Sequence, residues 1–141
     1  MDIQALQTAE MIVMAFDAFV ELRPYLTDAD RFTQQVLHQQ QEGYRLFAIL
    51  EGEEVVSCVG LRILTTLAWG KIVYIDDLIT KSSHRGKGYG HALLDYAIKY
   101  AHEHGCAQVH LDSGYTRNTA HRVYLNHGFD IAGHHFSRKL I

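Results

Sequence analysis

Arg85-Gly86-Lys87-Gly88-Tyr89-Gly90 sets three glycines at alternate positions, after an apolar run and at the start of an apolar helical pattern. Backbone stripped of side chains can bring its N–H groups against an anion, and a helix N-terminus adds partial positive charge there. Arg85 and Lys87 supply formal charge beside it. These residue types in this order suit a phosphate, above all a pyrophosphate. Two familiar phosphate loops do not fit. The dinucleotide pattern Gly-x-Gly-x-x-Gly/Ala would end on His91, and the nucleoside-triphosphate loop would need Ser or Thr where Gly88 follows Gly86-Lys87.

A second place for chemistry is Asp76-Asp77, two acids inside the apolar run Ile72–Thr80. Carboxylates in such a run are costly unless solvated or paired. Strand alternation predicts Tyr74, Asp76 and Leu78 on one face and Asp77 on the other. The pair reads either as a working carboxylate or as a salt-bridge partner for the neighbouring hairpin. Ten histidines raise the question of a metal, but His102 and His104 point to different helix faces and no His-Glu-x-x-His or Cys-x-x-Cys occurs. No metal is expected. Cys58 and Cys106 sit in apolar runs and read as buried thiols.

The elements that must position these residues follow from periodicity. Residues 8–22 are apolar at Met11, Met14/Ala15, Ala18/Phe19 and Leu22, which predicts a helix closed by Pro24. Thr27 or Asp28 caps a second helix running to about Gln41, with Gly43 as its stop. Tyr44–Leu50 and Val55–Leu64 read as a hairpin turning at Glu51-Gly52-Glu53-Glu54, and Ile72–Thr80 as a third strand. Residues 87–104 form a helix stopped by Gly105, Cys106–Asp112 a strand, and Asn118–His127 a helix capped by Asn118. Phe129–Ile131 and Phe136–Ile141 are expected to make a final strand or hairpin. The alternation after residue 72 predicts a mixed α+β sheet.

Bulk properties set bounds. The 141 residues suit a single domain over 1–141, with 48% hydrophobic residues and no apolar run long enough for a membrane span. Cysteine usage and the absence of a signal pattern point to a cytoplasmic protein. The net charge of −3 argues against nucleic acid as the main partner. Its distribution is uneven: residues 1–70 carry −6 and residues 71–141 carry +3. A basic half bearing the phosphate loop suits an anionic cofactor, and an acidic half suits a cationic acceptor.

Arg85-x-x-Gly88-x-Gly90 resembles the Gln/Arg-x-x-Gly-x-Gly/Ala signature of the GCN5-related N-acetyltransferases (GNAT), which hold the pyrophosphate of acetyl-coenzyme A. Asn118-x-Ala120-x-x-x-Tyr124-x-x-x-Gly128-Phe129 is similar to the segment that follows it in that family, and Arg117-Asn118-Thr119-Ala120-His121-Arg122-x-Tyr124 with the tail His135-Phe136-Ser137-Arg138-Lys139-Leu140 resembles a branch of small bacterial amine acetyltransferases. The likeness covers residues 71–141. Ser82 stands where the family often has proline.

The resemblance implies the GNAT fold: a mixed, mostly antiparallel sheet with two splayed parallel strands, Ile72–Thr80 and Cys106–Asp112, and helices on both faces. It also implies site residues. Arg85, Gly86, Lys87, Gly88, Tyr89, Gly90 and His91 would hold the pyrophosphate, with Asn118 touching coenzyme A. Leu78, Ile79 and Thr80 would pair with the pantetheine amides, the Leu78 N–H serving the oxyanion. Tyr124 would protonate the leaving thiolate. An alkylammonium of pKa about 10.4 must lose a proton before it attacks, and Asp76 is the candidate base.

The function expected is direct acetyl transfer from acetyl-CoA to a primary amine, a small molecule first, in a ternary complex. A protein lysine or N-terminal amine is the alternative acceptor, and a non-catalytic acyl-CoA sensor the alternative class. A homodimer is expected from family analogy alone.

Overall fold

A five-stranded sheet, ordered β1-β2-β3-β4-β5, organises the first 111 residues of the computed structural model, which describes residues 1–141. Strands β1 (Ile3–Ala5), β2 (Arg45–Glu51), β3 (Glu54–Thr66) and β4 (Gly70–Thr80) pair antiparallel in sequence order. Strand β5 (Gln108–Leu111) pairs parallel with β4 because helix α4 (Tyr89–Glu103) carries the chain back across the sheet. The hairpin closes at Glu51 opposite Glu54, as its Gly-containing turn predicts. Strand β1 gave no sequence signal: three residues are too few to show a period.

Helices cover both faces, and β2 shows how the sequence divides them. Leu46 and Ala48 join a core with Ile12, Phe19, Phe32 and Val36 from the N-terminal helices. Phe47 points the other way and meets Tyr96 and Tyr100 of α4, with ring centroids 4.8 and 5.6 Å away. Strand period 2 thus feeds two cores from one strand.

The helix expected over residues 8–22 is broken. The Thr8 Oγ1 accepts from Met11 N at 3.3 Å to start α1 (Ala9–Ile12), a 3₁₀ turn spans Val13–Ala15, and α2 runs Phe16–Leu22. Ile12, Ala15 and Ala18 are all fully buried, a spacing of three that fits a tighter turn better than 3.6. Helix α3 (Ala29–Gln41) begins as predicted, the Asp28 carboxylate accepting from the N–H groups of Asp30 and Arg31 at 3.0 and 3.1 Å.

Residues 112–141 form a second compact unit, built on α5 (Asn118–Asn126). Here Asn118 is the first helical residue rather than the cap; Arg117 holds the cap position and no side chain caps the helix. The strands expected at 129–131 and 136–141 do not form. The Phe129 N–H instead closes on the Tyr124 carbonyl at 3.0 Å, and Phe136, Leu140 and Ile141 stay exposed without a ladder partner.

Candidate active site

The centre of β4 departs from regular pairing. Ile75 faces Leu61 and Asp77 faces Gly60, so Asp76 is an extra residue, a β-bulge. This overturns the predicted alternation. Tyr74 opposes Arg62 and Asp77 opposes Gly60, two positions of β3 on the same face, while Leu78 opposes Val59 on the other. One inserted residue resets a period of 2, so Tyr74 and Leu78 end on opposite faces and Asp77 on the Tyr74 face.

Both carboxylates are held by arginines. Asp76 accepts from Arg62 Nε at 3.0 Å and Nη2 at 2.6 Å, a bidentate pair with both side chains mostly covered. Burial pushes the Asp76 carboxyl above its ordinary range, and Arg62 opposes that rise. Asp77 is buried and accepts from the Tyr44 hydroxyl at 2.8 Å and Arg23 Nε at 2.9 Å. Arg23 Nη2 also donates to the Asp76 carbonyl at 3.1 Å, which ties the bulge backbone to the end of α2. Gly60 makes room: a Cβ there would fall inside the Tyr44 ring. Burial and then the Asp77 charge push the Tyr44 phenol far up, so it keeps the proton that it donates to Asp77. The neighbouring Cys58 thiol is fully buried and also pushed up, so it stays protonated.

The parallel ladder stops one residue short of the bulge. Strand β5 pairs with β4 from Ile72 to Ile75 and no further, so Asp77–Thr80 ladder with β3 alone. A bulge bends its strand and sharpens the twist, and this one lies just past the last parallel pair, Ile75 with Leu111, where β5 ends. Leu78 and Thr80 are half-buried and Ile79 packs into the core. The Thr80 hydroxyl lies 2.8 Å from Ser57 Oγ.

Strand β4 leads through a 3₁₀ turn, Ser82–His84, into the glycine loop. Gly86 and Gly88 have φ of +82° and +83°, which L side chains rarely adopt, and Gly88 is the N-cap of α4. Gly88 has no side chain to cap the first turn of α4. Gly90 is already helical, and a Cβ there would meet only Thr80 Oγ1 at 3.9 Å, so packing within the protein does not require glycine at that position. Lys87 Nζ lies 3.2 Å from Glu51 Oε1, and Arg85 Nε is 3.4 Å from the Thr80 carbonyl.

In the second unit Asn118 opens α5, and the half-buried Tyr124 packs edge-on to Phe129 at 6.1 Å. Burial raises the Tyr124 phenol above its ordinary value, which keeps its proton in place at neutral pH. Sequence reasoning missed Arg23, Tyr44, Gly60 and Arg62. Their only advance signal was that Asp76 and Asp77 needed partners.

The frame is a mixed five-stranded sheet with one parallel pair, and a glycine loop that starts α4. The comparisons make this specific. The model of the Acetyltransferase (GNAT) family matches residues 9–129, and the chain belongs to that family. It is an acetyltransferase that depends on acetyl-CoA, the family's co-substrate. The uncharacterized N-acetyltransferase YhdJ of Bacillus subtilis is 38% identical over 100 residues, 70% of each chain. Streptothricin acetyltransferase of Streptomyces lavendulae is 30% identical over 74 residues, 52% of this chain and 39% of that protein. Among solved structures, ribosomal-protein-alanine N-acetyltransferase of Brucella melitensis superposes with a TM-score of 0.85 at 16% identity, over 99% of this chain and 100% of that one. That last likeness is of fold. No helix is long and apolar enough to cross a membrane.

Proposed function

We propose that the protein moves the acetyl group of acetyl-CoA to the primary amine of a small molecule, by direct transfer in a ternary complex. The observation that carries this reading is the end of the parallel ladder at Ile75, on the strand that leads into the glycine loop. Beyond Ile75 the β4 backbone is free of β5, so the pantetheine arm can add to Leu78, Ile79 and Thr80 as a strand would. The pyrophosphate then reaches the Arg85–His91 loop, where backbone N–H groups, the dipole of α4 and two cations favour it.

In this reading the amine attacks the thioester carbon, and the tetrahedral oxyanion takes a hydrogen bond from the Leu78 N–H. One such donor lowers the barrier by about 3 kcal/mol. Collapse of the intermediate expels the thiolate, and Tyr124, by its place in the family motif, gives it a proton. Asp76 receives the ammonium proton, directly or through water; its raised carboxyl is a better acceptor than an ordinary aspartate, while the Arg62 pair limits the gain. Asn118 completes the coenzyme contacts. The likeness to a streptothricin acetyltransferase, whose name gives streptothricin and not a protein as acceptor, favours a small acceptor. The protein works as a cytoplasmic enzyme and as a homodimer in this account.

The test is thiol release from acetyl-CoA against a panel of small primary amines and of peptides with lysine or free N-termini. Intersecting initial-velocity lines with a small amine support the reading, and parallel lines point to an acetyl-enzyme. Turnover on peptides alone replaces the acceptor class, and binding with no turnover on any acceptor makes the protein an acyl-CoA sensor.

A further inference from the structure

The glycine loop already has an anion. Glu51, at the end of β2, lies 36 residues before Lys87 and reaches three residues of the loop region. Its Oε1 is 3.2 Å from Lys87 Nζ, its Oε2 is 2.7 Å from His84 Nε2, and it accepts a hydrogen bond from the Tyr89 hydroxyl. These three donors flank Gly86 and Gly88 on both sides. Ser83 Oγ fixes the other ring nitrogen of His84 at 2.7 Å, and Glu54 takes Lys81 at 3.0 Å, so the hairpin tip is laced to the loop from end to end.

A carboxylate so placed engages the side-chain donors that a phosphate arriving at this loop would seek. We propose that Glu51 is an internal competitor of the cofactor's phosphates. It holds Lys87, His84 and Tyr89 when the loop is empty, yields them when coenzyme binds, and retakes them as coenzyme leaves. Its charge therefore weakens coenzyme affinity and speeds release. The inference rests on the reading of the loop as the pyrophosphate site.

Glu51 is bound from the sheet side through side chains alone, so replacing its charge leaves the backbone N–H groups and the positive-φ glycines untouched. What changes is the field: Arg85 and Lys87 are then opposed by one carboxylate fewer, and an anionic ligand gains. Holding Lys87 in place is the opposite possibility, and it predicts the opposite result.

The experiment compares wild type, Glu51→Gln and Glu53→Gln by calorimetric titration with coenzyme A, at low and high salt, with stopped-flow release rates. Glu53→Gln removes the same charge from the same turn with none of the three loop contacts. Glu51→Gln should bind about three- to tenfold more tightly, release more slowly by the same factor, and lose affinity more steeply with salt. Glu53→Gln should match wild type. A wild type that binds coenzyme A with Glu51→Gln equal or weaker overturns the inference and leaves the loop reading standing, and equal tightening in Glu53→Gln overturns it too. A wild type that does not bind coenzyme A removes the loop reading, and the inference with it.

Discussion

The β4 bulge and the glycine loop lie nine residues apart in sequence, Asp76 to Arg85, and treat charge in opposite ways. At the bulge, two carboxylates and two guanidinium groups are paired within the fold, and a buried tyrosine completes the set. At the loop, the cations lie at the surface, and their carboxylate partner comes from an exposed hairpin turn. The bulge spends its charges on holding a distorted backbone in place. The loop keeps its charges exchangeable. In the proposed function, the first arrangement suits aiming a backbone N–H and the second suits binding and releasing a phosphate.

Breaking the buried side should cost the most. Asp77→Ala leaves the Tyr44 hydroxyl and Arg23 without their shared acceptor; allowing for the partial exposure of Arg23, unfolding should become easier by about 2–4 kcal/mol, read by urea denaturation. Gly60→Val, which drives side-chain atoms into the Tyr44 ring, should cost at least as much, and an unchanged midpoint would show that Tyr44 does not fill the space at Gly60. Neither loss should shrink much with salt, whereas cofactor affinity at the loop should fall steadily with it.

Tyr124→Phe sharpens the chemical side. Turnover should fall about 10²-fold or more while acetyl-CoA affinity holds, and a fully active variant removes the proton-donor role. A smaller effect concerns pH. A base works when deprotonated, so the acid limb of kcat/KM should rise through an apparent pKa above 3.8, because burial raises Asp76. Asp76→Asn should abolish that limb, and a limb that survives assigns it to another group.

The same contrast explains what the sequence could and could not tell. The loop was legible because its signal is local: glycine spacing, two cations and a following helix lie within a few residues. The bulge partners were not, because Arg23, Tyr44 and Arg62 lie 54, 33 and 14 residues from the acids they bind. Side-chain periodicity assumes unbroken pairing, so it could not foresee that one extra residue at Asp76 turns Leu78 away from Tyr74. The C-terminal strands were misread for a related reason: apolar runs name candidates, and a strand needs a partner to form.

The most direct test is calorimetric titration of wild type and Gly88→Asp with acetyl-CoA, with NAD as the control. Wild type should bind acetyl-CoA with a micromolar constant and ignore NAD. Gly88→Asp places a carboxylate at the open, positive-φ cap of α4 and should abolish binding. Equal affinity in the variant, or no binding by the wild type, would mean that the loop does not hold the pyrophosphate.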